Sequence, residues 1–325
     1  MTNTQSHKRA LLVTRKLPEK VEERLCKAFE ARLNREDAPL SAARIAAEAQ
    51  GCDALLITPT DRMDARLIGA LPECVRIIAT FSVGYDHIDL AAAKARGIMV
   101  THTPEVLTDA TADIAMLLLL GAARGAHWGE RMVRENRWGA WAPTHPLGMD
   151  VSGRRLGIFG MGRIGRALAH RARAFGMEIH YHNRRRLPPE AEAGAIYHET
   201  FEGLLPHCDF LSLNCASTEQ TRGILDARAI ALLPRGAIVI NTARGDIVDD
   251  DALIAALKEG HLAAAGLDVF NNEPDIDARY RELENVFVLP HLGSATPATR
   301  EAMGMRAADN LEAFFAGERP RDALT

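Results

Sequence analysis

The residues with the clearest chemical purpose are the three glycines of the run Arg155-Leu-Gly-Ile-Phe-Gly160-Met-Gly162-Arg163-Ile164-Gly165. In a strand–turn–helix setting, Gly160 permits the tight turn, Gly162 lets the backbone approach a pyrophosphate, and Gly165 lets helix and strand pack closely. The helix that follows would offer its free N–H groups and positive dipole end to the phosphates. The glycine pattern alone also suits a purely structural turn. Its place between an apolar run and an alanine-rich stretch reaching Phe175, with a second apolar run after it, favours a dinucleotide. That second run, 177–182, ends in Asn183-Arg184-Arg185-Arg186. Proteins that take the unphosphorylated dinucleotide usually place Asp or Glu here, for the ribose 2′-hydroxyl. Asn183 carries no charge to repel a 2′-phosphate, and guanidinium forks suit phosphate oxygens. The expectation is NADPH/NADP, with NADH the poorer cofactor; the competing reading is a solvated basic turn.

The elements that must position these groups follow from the apolar pattern. Short apolar runs at 10–14, 54–57, 77–79 and 98–100 alternate with helix-like segments at 19–31, 41–49, 64–70 and 89–95. Repeated strand-then-helix order predicts a parallel sheet covered on both faces. Thr103-Pro104 reads as a helix start. The helix it would open, about 105–123, is apolar almost all round and must be buried in a core, a domain seam or a subunit interface. The stretch 125–152 holds Trp128, Trp138 and Trp141 and reads as an irregular or partly helical arm. A second strand series follows near 156–159, 178–182, 209–213, 237–241, 264–267 and 286–289. Two such series predict an α/β protein of two doubly wound parallel-sheet domains.

Length and charge fit that plan. At 325 residues the chain suits two domains. Its 39 basic and 43 acidic side chains give a net charge of −4, which argues against a broadly basic nucleic-acid binder. The five cysteines are odd in number and form no C-x-x-C pair, which suits a reducing compartment. The N-terminal residues lack a signal-peptide pattern, and the longest apolar block, 114–123, is half a bilayer span. A cytoplasmic protein without membrane or metal is expected.

Several stretches together resemble the D-isomer-specific 2-hydroxyacid dehydrogenases, of the glyoxylate/hydroxypyruvate reductase kind. They are Ser82-Val-Gly-Tyr-Asp-His-Ile-Asp89, Thr103-Pro-Glu-Val-Leu-Thr-Asp-Ala-Thr-Ala-Asp113, the glycine run, Asn241-Thr-Ala-Arg-Gly-Asp-Ile-Val-Asp249, Gly266-Leu-Asp-Val-Phe270 with Glu273-Pro274, and Leu289-Pro-His-Leu-Gly-Ser-Ala-Thr296. The resemblance covers nearly the whole chain in the family's order. It implies a discontinuous flavodoxin-like substrate domain, 1–101 with 292–325. It also implies a Rossmann dinucleotide domain, 102–291, whose first part, 102–150, is an interdomain helix and dimerisation arm.

The same resemblance assigns roles that spacing alone would not. Arg244 would pass for a turn arginine, His291 for any one of twelve histidines, and Glu273 for an exposed loop acid. The family motifs make Arg244 the fork that holds a keto-acid carboxylate, His291 the proton donor to the carbonyl oxygen, and Glu273 the group that orients the imidazole and favours its charged form. By the same implication the N–H groups of Val83 and Gly84 receive the substrate carboxylate. Thr111, Cys215, Ser217, Thr221, Thr242, Ala243, Gly293 and Ser294 line the cofactor, and Asp268 holds the nicotinamide carboxamide. Trp141 enters the partner subunit's site in a homodimer, or only packs at the interface.

The activity implied is NADPH-dependent reduction of glyoxylate and hydroxypyruvate to glycolate and D-glycerate. Reduction of a longer-chain or sugar-derived 2-keto acid is the nearest alternative. Phosphoglycerate or phosphonate oxidation stands behind it, and a dinucleotide-regulated transcriptional corepressor is the alternative from another class.

Overall fold

The computed structural model describes residues 8–325. The chain divides into two compact units, one running to Leu107 and taking up Thr296–Thr325, the other spanning Thr108–Ala295.

In the first unit the strands are β1 (Ala10–Val13), β2 (Glu30–Leu33), β3 (Ala54–Ile57), β4 (Ile77–Thr80) and β5 (Met99–Thr101). They form one sheet in the order β2-β1-β3-β4-β5, every pair parallel. This is the flavodoxin-like doubly wound order. β1, β3 and β4 are buried along their whole length, as strands covered by helices on both faces must be. Side-chain caps open the covering helices: Ser41 for Ala42–Glu48, Asp64 for Ala65–Ala70 and Asp89 for Leu90–Ala95. The last helix, Pro297–Phe315, is capped by Thr296 and has proline in its first turn. It is tied to the helix Glu19–Ala28 through the Arg24–Glu312 ion pair at 2.9 Å.

Two local expectations need correction. The segment 19–31 is not one helix: it ends at Ala28, and β2 begins at Glu30 as an edge strand of alternating exposure. Nor does Thr103-Pro104 open the long apolar helix. Thr103 N–H is bonded to Ser82 O at 2.8 Å, and Glu105 turns left-handed at φ 75°, so the helix starts at Thr108 and runs to Arg124. The turn 102–107 belongs to the first of the two compact units, whose first stretch ends at Leu107 and which resumes at Thr296.

The second unit holds β6 (Arg155–Phe159), β7 (Glu178–His182), β8 (Ile196–Tyr197), β9 (Phe210–Leu213), β10 (Ala237–Asn241), β11 (Leu262–Leu267) and β12 (Val286–Val288). The all-parallel sheet runs β12-β11-β10-β9-β6-β7-β8. Counted within the unit this is 7-6-5-4-1-2-3, the Rossmann order with one strand added. The order reverses between β6 and β9, and ligands of such sheets bind beyond the carboxyl ends of the strands at that point. Because every strand is parallel, the segments after β6, β9, β10, β11 and β12 all leave at one edge.

The helix Thr108–Arg124 packs Ala112, Ala115, Leu118 and Leu119 into the core with β6, β7 and β10. The arm begins as the helix Ala126–Arg134, which buries none of its residues, and continues without regular structure to Asp150. Among the described residues, no helix is long and apolar enough to cross a membrane. None of their His, Cys, Asp and Glu side chains form a metal-binding group.

Candidate active site

Each strand end at the common edge contributes one part of the site. β6 runs into Gly160, at φ 95°. A Cβ there would lie 2.6 Å from Cys215 N, so only glycine lets the turn pass under the loop after β9. A Cβ on Gly165 would stand 2.5 Å from Gly160 O, which makes this the close helix–strand contact. Gly162 caps the helix Arg163–Ala174, and a Cβ there would meet no protein atom within 4 Å. A side chain there would fill the cradle at the helix N-terminus, where a pyrophosphate finds free N–H groups.

After β10, Asn241 shapes the turn that carries Arg244. Its Oδ1 accepts Ala243 N–H at 3.0 Å and its Nδ2 donates to Arg244 O at 2.8 Å. Gly245 then presses on the chain after β11; a Cβ would sit 1.9 Å from the Phe270 carbonyl carbon. That contact brings the arginine turn against the loop bearing Glu273.

After β12, His291 sits in the left-handed region at φ 56°, uncommon for any residue but glycine. Asp268, at the end of β11, holds this turn. Its backbone carbonyl accepts His291 N–H at 2.9 Å, and its carboxylate accepts Leu292 N–H at 2.6 Å and Gly293 N–H at 2.7 Å. Burial pushes the Asp268 carboxyl above its ordinary range, against the opposing pull of these bonds and of His291.

The His291 ring meets Glu273 with Nδ1 2.7 Å from Oε2, and the other carboxylate oxygen accepts Phe270 N–H at 2.8 Å. Burial alone would raise the Glu273 carboxyl. The bond and charge of His291, the Phe270 N–H and the Arg244 charge outweigh it and hold the carboxyl below its usual range. An ionised carboxylate only accepts, so Nδ1 carries the hydrogen and Nε2 is the nitrogen left to exchange a proton with a ligand.

The comparisons with known proteins fit this arrangement. The family model for the D-isomer specific 2-hydroxyacid dehydrogenase, NAD binding domain, matches residues 116–293. A glycerate dehydrogenase of Hyphomicrobium methylovorum is 43% identical over 95% of this chain and 97% of its own length. The chain belongs to the D-isomer-specific 2-hydroxyacid dehydrogenase family. It is an oxidoreductase of that family, with a dinucleotide-binding Rossmann unit. A glyoxylate reductase of Korarchaeum cryptofilum is 46% identical over 95% of this chain and 94% of that one. The crystal structure of an NADPH-dependent glyoxylate/hydroxypyruvate reductase from Sinorhizobium meliloti, in complex with NADP and malonate, has a TM-score of 0.88. It is 36% identical, covering 98% of this chain and 97% of that one.

The other sequence-predicted residues of this dehydrogenase fall as follows. The Thr111 hydroxyl donates to Gly293 O at 3.0 Å, joining the long helix to the segment after His291 that also carries Ser294. Thr242 Oγ1, after β10, and Asn214 Oδ1, after β9, are buried without a hydrogen-bond partner, as suits groups that a dinucleotide completes. In the loop after β9, the Cys215 thiol is pushed up to about 12 by burial and is no nucleophile. Ser217 donates to Asp246 at 2.7 Å and Thr221 to Ala216 O at 2.8 Å, so both side chains order their loop.

The turn after β7 differs from its sequence reading in two respects. Asn183 Oδ1 accepts Met161 N–H at 2.7 Å, closing the glycine turn as well as leaving the position uncharged. Arg186 is exposed like its two neighbours but is engaged in an ion pair. Its Nε lies 2.7 Å from Glu192 Oε1, and its guanidinium covers the Tyr197 ring. Glu192 is 6% exposed and also accepts the Tyr181 hydroxyl. Sequence spacing gave no sign of Glu192 or Tyr181, because their partner lies across a turn. Arg184 and Arg185 are exposed. Val83 and Gly84 lie in the other unit, just past β4, and Trp141 is 81% exposed on the arm.

Proposed function

We propose that this chain reduces small 2-keto acids with NADPH, converting glyoxylate to glycolate and hydroxypyruvate to D-glycerate. The observation that carries the reading is the Glu273–His291 pair, 2.7 Å apart, beside the arginine turn at the edge where the glycine cradle opens. The names of the relatives support the substrate class. The uncharged Asn183 with Arg184 and Arg185 supports the phosphorylated cofactor.

The dinucleotide supplies a hydride to the keto carbon. Arg244 holds the substrate carboxylate and leans on the keto oxygen. The family motif assigns the Val83 and Gly84 N–H groups a substrate-carboxylate role. As charge develops on the keto oxygen, His291 Nε2 delivers its proton there. Glu273 keeps the ring aligned and stabilises the imidazolium. Initial rates with a panel of 2-keto acids, each with NADPH and NADH, test the whole reading. The highest kcat/KM is expected with glyoxylate or hydroxypyruvate and NADPH; absence of 2-keto acid turnover overturns it.

Glu273→Gln keeps the shape of the pair and removes its charge. The ring then loses the carboxylate that aligns it at 2.7 Å, and kcat for 2-keto acid reduction drops by about tenfold. Unchanged kcat in this variant would show that Glu273 has no hold on the proton donor.

The reading includes a homodimer built on the arm. Val133, Trp138, Trp141 and Leu147 are 61%, 64%, 81% and 71% exposed, a large apolar surface on one short segment. A second copy of the chain would cover it, with Trp141 reaching the partner's substrate. Sedimentation should give twice the 35.5 kDa chain mass; a monomer at micromolar concentration overturns this part.

A further inference from the structure

We propose that His102 is a positioning residue for the reduction: it aims the Gly84 N–H at the substrate carboxylate. This rests on the carboxylate role assigned above to Val83 and Gly84. Beyond β4 the chain turns through Ser82-Val83-Gly84, and each of these carbonyls is held from within the same unit. Ser82 O accepts Thr103 N–H at 2.8 Å, Val83 O accepts from His102 Nδ1 at 2.8 Å, and Gly84 O accepts the Ser82 hydroxyl at 2.6 Å. In a trans peptide the N–H and C=O lie in one plane and point opposite ways. Fixing the Ser82 carbonyl therefore aims the Val83 N–H, and fixing the Val83 carbonyl aims the Gly84 N–H. The second of these is the work of the His102 side chain.

A carbonyl oxygen only accepts, so Nδ1 of His102 carries the hydrogen. The residue is itself held from several sides. Its N–H donates to Asp322 O at 3.3 Å, and its carbonyl accepts Asn310 Nδ2 at 3.1 Å. The Tyr85 ring stands edge-on, 5.8 Å away between centroids. Asn310 is 2% exposed and donates to Asp322 at 3.0 Å, and Asp322 also takes Arg306 at 2.9 Å. A buried polar network satisfied in this way holds one geometry. The C-terminal helix and tail thus fix His102, and His102 fixes the turn.

The test is steady-state glyoxylate reduction by the full-length enzyme, with NADPH dissociation followed by fluorescence titration. His102→Leu keeps bulk and removes the donor; His102→Asn places an N–H at the position of Nδ1. In the leucine variant KM for glyoxylate should rise roughly tenfold, with kcat and NADPH affinity near wild type. Asparagine should bring KM back to within about threefold. Ethyl glyoxylate, which has no charge to lose, should show the same KM in wild type and His102→Leu. An unchanged glyoxylate KM in His102→Leu, an equal rise in the asparagine variant, or an equal rise with the ester each overturns the proposal. If the leucine variant does not fold, His102→Gln takes its place, its donor lying one bond too far out. Wild-type enzyme inactive on every 2-keto acid overturns the assigned function and this inference with it. An active wild type whose glyoxylate KM His102→Leu leaves unaltered overturns the inference alone.

Discussion

Replacing His291 with alanine lowers kcat for 2-keto acid reduction by about 10²–10⁴-fold, the usual contribution of a positioned general acid. The imidazole is the group whose proton has a defined exit. Nδ1 is engaged with Glu273 at 2.7 Å, so the transferable proton is on Nε2. The His291 side chain is 42% exposed, so water can take over part of the task, which places the expected loss nearer the lower bound. Binding should change far less than turnover, because Arg244 and the glycine cradle hold substrate and cofactor without the imidazole. Two effects must be separated, since alanine is strained at the φ of 56° that His291 adopts. Asparagine tolerates that conformation better, so His291→Asn preserves the turn while removing the proton donor. Both variants should lose kcat alike and keep the wild-type Kd for NADPH. A loss of less than about tenfold in the asparagine variant would remove His291 as the proton donor.

How far the sequence foretells this site depends on the range over which its parts act. The glycines of the β6 turn are legible because they fall within one strand–turn–helix segment, although the loop after β9 also crowds Gly160. Gly160 needs its φ of 95° whatever lies beyond. Arg244, Glu273 and His291 are legible only through the family motifs. Three loops from three strands bring them together, and no spacing rule encodes that parallel arrangement. β2 was hidden because four residues of mixed polarity at a sheet edge look like the end of the preceding helix. The true start of the long helix was hidden by Glu105, whose left-handed backbone is set by the fold around it rather than by its type. His102 and Glu192 were missed for the same physical reason: each acts through a partner that a turn or another segment brings within hydrogen-bond reach. Asn310 lies 208 positions along the chain from His102, so their bond cannot be read from either neighbourhood.

Changing Arg184 and Arg185 together to alanine weakens NADPH binding about a hundredfold and leaves NADH affinity within about twofold. The difference between the cofactors is a single 2′-phosphate. A pair of guanidinium–phosphate contacts, each worth on the order of tenfold, is what the double variant removes. The third arginine makes this a sharper test than the sequence alone allowed. Arg186 is committed to Glu192, whose carboxyl it holds below the usual range, with the Tyr181 hydroxyl adding to the effect. That cluster keeps the turn in place: Leu187 N–H donates to the Tyr181 hydroxyl at 3.0 Å, and Tyr181 is fully buried. Arg186→Ala should therefore loosen the turn and weaken both cofactors together, while the Arg184/Arg185 pair should discriminate between them. Fluorescence titration of each variant with NADPH and with NADH gives the two ratios directly. If the double variant loses equally for both cofactors, Arg184 and Arg185 are a solvated basic surface and the 2′-phosphate is recognised elsewhere. If Arg186→Ala discriminates and the double variant does not, Arg186 must leave Glu192 when the phosphate arrives. The ion pair would then be a competitor for the phosphate, not a support of the turn.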